Sequence, residues 1–480
     1  MRSTLTRGLR GTLWVLLVAC ARPAPAVPSA APRADFGEVR RHASPPEIAL
    51  SVRGPRAFRV TEVLAPEGVR VLSRPAWLSR SGGARLRLAL DTDEERTVHG
   101  EVVIRGEGAR VSVPVTGVVG RFVPNRARPN AALDAYFEER RETLGLVGVG
   151  AAVVRDAELV YLGGFGWEDQ QAQIPVDPTT TVFRWGSLSK GVTGAVAALA
   201  DASGALDLDD PVSRWVDVPL PRKVLPQGCR AVDCAIEMTP LERVITVRQL
   251  LSHTSGVQDY RNGTVDPVPP PEHRNDAARN GGFVWALSYW SDVPLLSVPG
   301  RRYRYSSFGF NLAGAALDRA VGGYQAFVQV HVTDRLGLRS FGPDDIWHPR
   351  PHRTRGYRRD DGNIGLERDD DVSYKLPAGG FASTPADLAR WCAGLVEGVV
   401  VPPAIRDAEL WSPQPGAPRY GLGFFTNGTR VSHSGGQQGT RTALIAYPAD
   451  RECYVVMTNS TWTNPYRLAS GMVRADRRAR

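Results

Sequence analysis

Hydrophobic and polar residues alternate along the first quarter of the chain. Between residues 35 and 122, six short segments place apolar residues at every second position, and turns separate them every 8–12 residues. Alternation of this kind is typical of strands that bury one face, and its regular spacing favours a β-sandwich. We therefore predict a small all-β domain over residues 35–122. It gathers no reactive side chains, which indicates a spacer or docking module.

A different pattern begins after residue 130. The stretch "ALDAYFEERRETLG" has helical spacing, and an apolar hairpin follows that turns at residues 155–157. Helices are predicted near 190–203 and 383–396, and the chain closes with four apolar strands over 419–460 and a helix from 464. These elements predict an α/β (α+β) domain over 131–480. Its antiparallel sheet lies beside helices, and a helical subdomain is inserted between the first and last strands.

The first residues have the pattern of an export signal. Arg2, Arg7 and Arg10 precede the apolar run "GTLWVLLVAC", which is too short to span a bilayer. Residues 17–20 resemble a bacterial lipobox, which implies that residues 1–19 are removed and that Cys20 is lipidated. The alternative is ordinary secretion with cleavage after Ala24 or Ala26. We expect an exported bacterial lipoprotein, anchored to a membrane and facing the periplasm or the cell exterior.

Two linkers separate the predicted parts of the chain. Residues 20–34 are rich in proline and alanine, so they predict an extended spacer from the membrane. Residues 123–130 form a second, shorter linker before the larger domain. The β-domain between the linkers is predicted to be immunoglobulin-like and resembles modules that open on a "DFGEV" stretch.

Composition excludes some classes of function. The net charge of +9 comes from arginines spread over the whole chain, without a basic run interleaved with aromatic residues, so we expect no nucleic-acid partner. No cysteine and histidine spacing matches a zinc site. In an exported chain Cys229 and Cys234 are close enough to pair, whereas Cys392 and Cys453 are either a second pair or buried thiols.

One lysine stands out among the cations. Only three of the 59 basic residues are lysine, and Lys190 follows Ser187 by three positions in "FRWGSLSKG". Positions three apart share a face when a helix begins there. A serine hydroxyl needs a base to become a nucleophile, and lysine can exchange a proton whereas arginine cannot. The pair therefore indicates a reactive serine, although a chance pairing is the alternative.

Further motifs support a reactive serine. Tyr305 lies two positions before Ser307 in "RYRYSSFGF", and "VSHSGGQQG" places His433 on a predicted strand before a pair of glycines. The stretch "LLSHTSGV" (250–257) lies between Lys190 and Tyr305, and "PAGGFASTPADLARW" (377–391) lies between Tyr305 and His433. In this order the motifs resemble the serine β-lactamase and penicillin-binding protein superfamily, in the branch of class C β-lactamases, D-Ala-D-Ala carboxypeptidases and esterases. The resemblance covers roughly residues 130–470.

The resemblance implies roles for individual residues. Ser187 would attack a carbonyl and form an acyl-enzyme, with Lys190 and Tyr305 moving the proton. The backbone N–H groups of Ser187 and Gly436 would form the oxyanion hole. His433 would polarise Tyr305 or hold a substrate carboxylate, and we expect it to titrate near neutral pH. The resemblance implies neither a metal nor an organic cofactor.

Substrate binding is assigned to three residues. Ser434 and Gly435 lie on the predicted strand beside His433, where glycine would let substrate backbone approach. Ser307 stands where the family usually has asparagine, and its shorter side chain puts β-lactam hydrolysis in doubt. The expected substrates are therefore cell-wall D-amino-acid peptides, small peptides or esters.

Other interpretations remain open at this stage. The domain could be a non-catalytic penicillin-binding-like receptor or scaffold, or the β-domain could be the functional module. His253 is predicted to be a structural turn residue, and Ser189 to lie on a helix surface or behind the site. The acidic stretch 367–374 is predicted to be a solvated loop, and the insertion 259–290 to shape the pocket rim.

Overall fold

A computed structural model describes most of the chain. It covers residues 33–40, 47–80, 84–91, 96–120, 125, 127–217, 219–229, 232–259 and 293–480. The predicted signal segment with Cys20, nearly all of the first linker, three residues of the second linker and nearly all of the 259–290 insertion lie outside the described residues. No helix among the described residues is long and apolar enough to cross a membrane.

The N-terminal region consists of strands. They are β1 (Ala34–Arg40), β2 (Glu47–Val52), β3 (Phe58–Arg59), β4 (Glu62–Leu64), β5 (Val69–Ser73), β6 (Trp77–Leu78), β7 (Ala84–Leu90), β8 (Arg96–Gly106) and β9 (Ala109–Gly120). They form a four-stranded sheet in the order β1-β9-β8-β4, a three-stranded sheet β2-β7-β5 and the pair β3-β6. Side chains of both larger sheets share one apolar core, as the alternating pattern predicts.

The C-terminal region mixes helices and strands. Its strands are β10 (Gly148–Arg155), β11 (Glu158–Asp169), β12 (Ile174–Pro175), β13 (Phe183–Arg184), β14 (Lys223–Val224), β15 (Ile236–Glu237), β16 (Gly342–Pro343), β17 (Tyr357–Asp360), β18 (Asn363–Leu366), β19 (Phe381–Ser383), β20 (Phe425–Thr426), β21 (Val431–Gln437), β22 (Thr440–Tyr447) and β23 (Glu452–Thr458). Its helices are α1 (Ala131–Leu144), α2 (Ser189–Ala202), α3 (Val247–Leu251), α4 (Ser307–Ala320), α5 (Tyr324–Val328), α6 (Leu376–Gly379), α7 (Pro385–Val396), α8 (Pro403–Ile405) and α9 (Pro465–Ala479).

The central sheet has seven strands. Their order is β12-β11-β10-β23-β22-β21-β20, and every neighbouring pair is antiparallel. One face packs against α1 and α9, which begin and end this region. The other face packs against the helical part of the chain, including α2, α4 and α7. The hairpin β10-β11 turns at Asp156 and Ala157, both with positive φ, close to the predicted position.

The first of the four strands predicted over residues 419–460 is shorter in the structure than its sequence pattern suggested. The apolar stretch 419–427 was expected to be a full strand, but only Phe425 and Thr426 pair with β21. Three glycines between residues 421 and 428 interrupt the run, and those at 423 and 428 have positive φ, which a regular strand excludes. Beyond Ser432, β20 therefore no longer pairs with this edge of β21.

Both cysteine pairs are disulfides in the structure. Cys229 and Cys234 close a short loop, with their Cα atoms 6.2 Å apart. Cys392 on α7 is bonded to Cys453 on β23, at a Cα separation of 6.1 Å. The second bond joins residues that are 61 positions apart, and the fold alone brings them together.

Candidate active site

Ser187 lies at the junction of β13 and α2. Residues Gly186–Leu188 form a short 3-10 turn that continues directly into α2, and the Ser187 side chain is partly exposed. Gly186 has φ +54, and a Cβ there would lie 2.9 Å from the backbone nitrogen of Gly436 on β21. Glycine is therefore required for the turn to approach this strand, and Ser187 lies beside the strand as a result.

Lys190 is fully buried at the start of α2, three positions after Ser187. Its Nζ lies 3.2 Å from Ser187 Oγ, 3.2 Å from Ser307 Oγ and 2.7 Å from the carbonyl oxygen of Ala378. The ammonium position is also 4.9 Å from the centre of the Tyr305 ring. The "PAGG" stretch in α6 thus contributes a backbone carbonyl to the site, which sequence motifs alone do not reveal.

Tyr305 reaches Ser187 from the start of α4. Its hydroxyl donates a hydrogen bond to Ser187 Oγ at 2.6 Å. Ser306 caps the helix by accepting a hydrogen bond from the N–H of Gly309, and the N–H of Ser307 donates to Asp259 Oδ1 at 2.9 Å. These hydrogen bonds fix the backbone on both sides of Ser306. As a result, Tyr305 contacts Ser187 and Ser307 contacts Lys190.

The strand β21 forms the opposite wall. Pairing with β22 covers one edge of β21 from Val431 to Gln437, whereas β20 covers only Val431 and Ser432 on the other. No strand among the described residues pairs with the outer edge from His433 to Gln437. A Cβ at Gly435 would collide with the Trp185 carbonyl oxygen, so this glycine is needed for β21 to pack against the segment that precedes Ser187.

His433 is a residue of β21, and its side chain is buried. Its Nε2 accepts a hydrogen bond from the Tyr420 hydroxyl at 3.0 Å, and its Nδ1 donates to the Ser434 carbonyl at 2.8 Å. Burial, and then the positive charge of Lys190, lower the pKa of His433 to about 3, although the bond to the Ser434 carbonyl opposes this. The expected titration near neutral pH is therefore wrong, because the ring is neutral above about pH 4.

Comparison with known proteins identifies this arrangement. The model of the Beta-lactamase family matches residues 133–478, which include every residue of the site. The chain belongs to the Beta-lactamase family. The predicted resemblance to serine β-lactamases and penicillin-binding proteins is therefore confirmed, and so is the α/β fold of the larger region.

Several relatives of this Beta-lactamase family chain are known. Esterase EstB of Burkholderia gladioli is 30% identical over 215 residues, which cover 44% of this chain and 51% of EstB. The D-alanyl-D-alanine-carboxypeptidase/endopeptidase AmpH of Escherichia coli K12 is 28% identical over 217 residues, 44% of this chain and 48% of AmpH. The chain thus spans about half the length of these curated relatives.

Solved structures share the fold. The D-amino acid amidase of Ochrobactrum anthropi SV3 aligns with a TM-score of 0.57 at 19% identity, covering 73% of this chain and 99% of the amidase. The octameric penicillin-binding protein homologue of Pyrococcus abyssi aligns with a TM-score of 0.56 at 22% identity, over 71% and 75% of the two chains. At these identities the likeness concerns the fold alone.

An ion-pair network next to the site was not foreseen from the sequence. Arg184 is buried just before the nucleophile turn, and its Nε donates to Asp344 Oδ2 at 2.6 Å. Its other nitrogens donate to the carbonyl oxygens of Gln438 and Asp370, at 3.0 and 2.7 Å. The guanidinium therefore ties the turn after β21 to the nucleophile segment. A lone arginine in an arginine-rich chain gave no signal of this role.

Two minor predictions change as well. The acidic stretch 367–374 is not simply solvated, because Asp370 pairs with Arg184 at 2.9 Å and Asp369 pairs with Arg353 at 3.0 Å. Ser189 is fully buried, and its hydroxyl accepts a hydrogen bond from the N–H of Phe381 at 3.2 Å. Of the two positions proposed for Ser189, the one behind the site is the position observed.

A cavity opens beside Tyr305. It has a volume of about 820 Å³, and its described lining includes Gln227, Leu296, Arg301, Arg302 and Arg304. The three arginines are exposed, so they give this entrance a positive character. No group of three or more histidine, cysteine, aspartate or glutamate side chains in the described part of the chain is placed to hold a metal ion.

Proposed function

We propose that the protein is a serine hydrolase that cleaves an amide or an ester through a covalent acyl-enzyme. The observation that carries this proposal is the position of Ser187 Oγ, within hydrogen-bond distance of both Lys190 Nζ and the Tyr305 hydroxyl. Nucleophile and base in such contact are the geometric signature of covalent catalysis. Membership of the Beta-lactamase family and the names of the relatives support the same class.

The first half of the reaction makes the acyl-enzyme. Ser187 Oγ attacks the substrate carbonyl carbon while its proton passes to the Lys190–Tyr305 pair. The carbonyl oxygen becomes an oxyanion, stabilised by the backbone N–H groups of Ser187 and Gly436, and such preorganised donors contribute several kcal/mol each. Collapse of this intermediate breaks the bond to the leaving group, which takes the proton from Tyr305.

The second half releases the product. Water attacks the acyl carbon and gives its proton to the same pair, and Ser187 leaves with a proton returned to Oγ. The surroundings of Lys190 suit this exchange. The Ala378 carbonyl can only accept, so it engages one N–H of Lys190 in either protonation state, while the hydroxyls of Ser187 and Ser307 can both donate and accept. The amine can therefore lose and regain a proton without losing a contact.

We propose that the substrates are small peptides, cell-wall D-amino-acid peptides or esters. An extended peptide can pair with the open edge of β21 as an added strand. The arginines at the cavity beside Tyr305 favour a substrate that carries a carboxylate. Hydrolysis of β-lactams is a weaker candidate, because Ser307 offers one hydroxyl where the family usually has an amide.

Intact-protein mass spectrometry tests the proposal. The folded protein is incubated with a fluorophosphonate and, separately, with a penicillin, and Ser187→Ala is the control. We expect a single stable addition of the fluorophosphonate that the variant lacks. A long-lived penicilloyl adduct would favour cell-wall peptides as substrates. Absence of any adduct in folded protein would reject the hydrolase and favour a non-catalytic penicillin-binding-like receptor, which the replacement of asparagine by Ser307 would then explain.

We further propose that the protein is exported and anchored to a membrane through lipidated Cys20, with an immunoglobulin-like N-terminal module as a spacer. The disulfides Cys229–Cys234 and Cys392–Cys453 support export, because such bonds persist in oxidising compartments. The shared core of the two N-terminal sheets supports the sandwich. The mass of the protein extracted from membranes tests the anchor, since an acylated chain that begins at Cys20 is expected.

A further inference from the structure

The turn after α3 holds a histidine in an unusual backbone conformation. His253 is fully buried and has φ +59, in the left-handed region. It follows Ser252, which ends the helix, and glycine is the usual residue at such a position. A non-glycine residue there costs on the order of 1 kcal/mol, and costs of this kind are concentrated at functional sites. The histidine side chain therefore calls for an explanation.

The explanation lies in the segment that carries Tyr305. The carbonyl oxygen of His253 accepts a hydrogen bond from the N–H of Arg304 at 2.6 Å. Its Nδ1 accepts another from the N–H of Ser306 at 3.1 Å, across 53 positions of sequence. The imidazole ring also lies against the Tyr305 ring, with the two centres 4.3 Å apart. One residue thus binds the peptide groups on both sides of Tyr305 and supports its ring.

The histidine is held in one neutral form. Because Nδ1 accepts a hydrogen bond, the proton of the ring is on Nε2. Burial, and then the positive charge of Lys190 and the neighbouring His433, hold the pKa of His253 well below its usual value. The ring therefore places no second positive charge beside Lys190.

The other ring nitrogen shows what the imidazole contributes. Nε2 has no hydrogen-bond partner among the residues that the structure describes. The imidazole ring is surrounded by other rings, with its centre 5.5, 5.0 and 4.8 Å from the ring centres of Tyr303, Phe310 and Tyr420. A buried donor without a partner costs about 1–3 kcal/mol, which an apolar side chain would avoid. The acceptor at Nδ1 is the feature that an apolar residue cannot supply.

We propose that His253 is a positioning residue for Tyr305. By holding both flanking N–H groups and the plane of the ring, it keeps the Tyr305 hydroxyl 2.6 Å from Ser187 Oγ. The inference rests on the proposed function, because this placement matters only if Ser187 reacts. It assigns a role to the "LLSHTSG" motif, which the catalytic steps themselves do not use.

A double-mutant cycle tests the inference. The rate of fluorophosphonate addition to Ser187 is measured by intact mass for the full protein, His253→Gly, Tyr305→Phe and the variant with both changes. Glycine keeps the left-handed backbone without strain but removes the ring and the acceptor. We expect His253→Gly to slow labelling about 10- to 100-fold, the loss typical of a small misplacement of a reacting group. The double variant should be no slower than Tyr305→Phe, because both changes act through Tyr305.

Two further variants complete the cycle. His253→Asn keeps an acceptor near the position of Nδ1, so it should recover part of the lost rate. His352→Gly is the matched control, because His352 also has a left-handed backbone, with φ +58, but its side chain is half exposed and contacts Glu168 at 3.1 Å. It should label at the rate of the unchanged protein. Thermal unfolding of each variant tests whether the chain is folded, and His253→Ala, which also removes the acceptor, serves in the cycle if His253→Gly does not fold.

The outcomes separate this inference from the proposed function. Labelling of folded His253→Gly, or of the alanine variant that replaces it, at the full rate would overturn the inference. So would a double variant that is slower than Tyr305→Phe by the same factor that the His253 change costs alone, since a general structural effect is additive. If the unchanged protein is not labelled at all, the hydrolase proposal fails first, and the inference falls with it.

Discussion

Two buried cations on one short segment have opposite surroundings. Arg184 is 4% exposed and Lys190 is fully buried, and Ser187 lies between them. Arg184 donates to the carboxylate of Asp344 at 2.6 Å and forms an ion pair with the carboxylate of Asp370 at 2.9 Å. Lys190 instead donates to two hydroxyls and a peptide carbonyl, none of which carries a formal charge.

The difference reflects what each cation can do. A buried guanidinium keeps its proton, so counter-charges must offset its desolvation and the result is a fixed ion-pair network. A buried amine that donates to hydroxyls and a carbonyl can exist with or without its proton. The chain uses arginine almost everywhere for positive charge, and it retains lysine at the one described position where a cation contacts the reactive serine.

The largest expected effect comes from replacing Lys190 by arginine, so that both buried cations are guanidinium groups. Lys190→Arg keeps the charge but removes proton exchange, so the rate of acylation should fall roughly 100- to 10,000-fold, the usual contribution of an acid–base group. The rate of fluorophosphonate labelling measures this effect. Lys223→Arg, on the exposed side of β14, is the matched control and should label normally. A fully reactive Lys190→Arg variant would show that charge alone is needed.

Breaking the other network should affect stability more than chemistry. Asp344→Asn removes a carboxylate shared by Arg184 and Arg353, and a buried pair that loses one partner costs about 3–5 kcal/mol of unfolding free energy. Denaturant unfolding at neutral pH measures the loss. Asp217→Asn, at an exposed position, should leave stability unchanged.

The same carboxylate predicts how stability depends on pH. Burial alone would raise the pKa of Asp344, but the charges of Arg184 and Arg353 outweigh it and hold that pKa below its usual value near 4. The stabilisation is therefore present above that usual value and is lost as pH falls through the lower folded-state pKa. Asp344→Asn should flatten this acid dependence, and an unchanged slope would show that other groups cause it.

The smallest effect concerns a third buried base. His433 has a pKa of about 3, so its protonation cannot produce an acidic limb in activity between pH 5 and 8. His433→Gln should therefore leave the midpoint of any limb in kcat/KM in that range unmoved, whatever it does to the absolute rate. A pH–rate profile with a small ester tests this. Loss of the limb in the variant would mean that His433 titrates during turnover.

Short motifs allowed the sequence to predict the reactive cluster but not its support. Ser187, Lys190 and Tyr305 were recognised because their residue types and spacings are specific to one chemistry. The carbonyl of Ala378 was not, because any residue supplies a backbone carbonyl and only the fold decides which one faces the lysine. His253 was predicted to be a turn residue and lies in a turn, but its contact with Ser306 spans 53 positions and could not be foreseen.

The protonation state of His433 could not be predicted from the sequence either. An isolated histidine is expected to titrate near neutral pH, and only the burial of His433 beside Lys190 changes that. The fold of the larger region followed from periodicity because its central strands are apolar and its main helices have 12 to 15 residues. The strand predicted over 419–427 was wrong in extent, since glycines with positive φ end it after two paired residues.

That short strand has a consequence for how the molecule can be inhibited or can associate. The outer edge of β21 from His433 to Gln437 offers backbone donors and acceptors that β20 does not cover. Unpaired strand edges also recruit other chains, which is why most proteins keep them short. Peptides with N-methylated backbones would lose pairing here while keeping their side chains. The difference in affinity between methylated and unmethylated peptides would measure how much of substrate binding depends on main-chain hydrogen bonds.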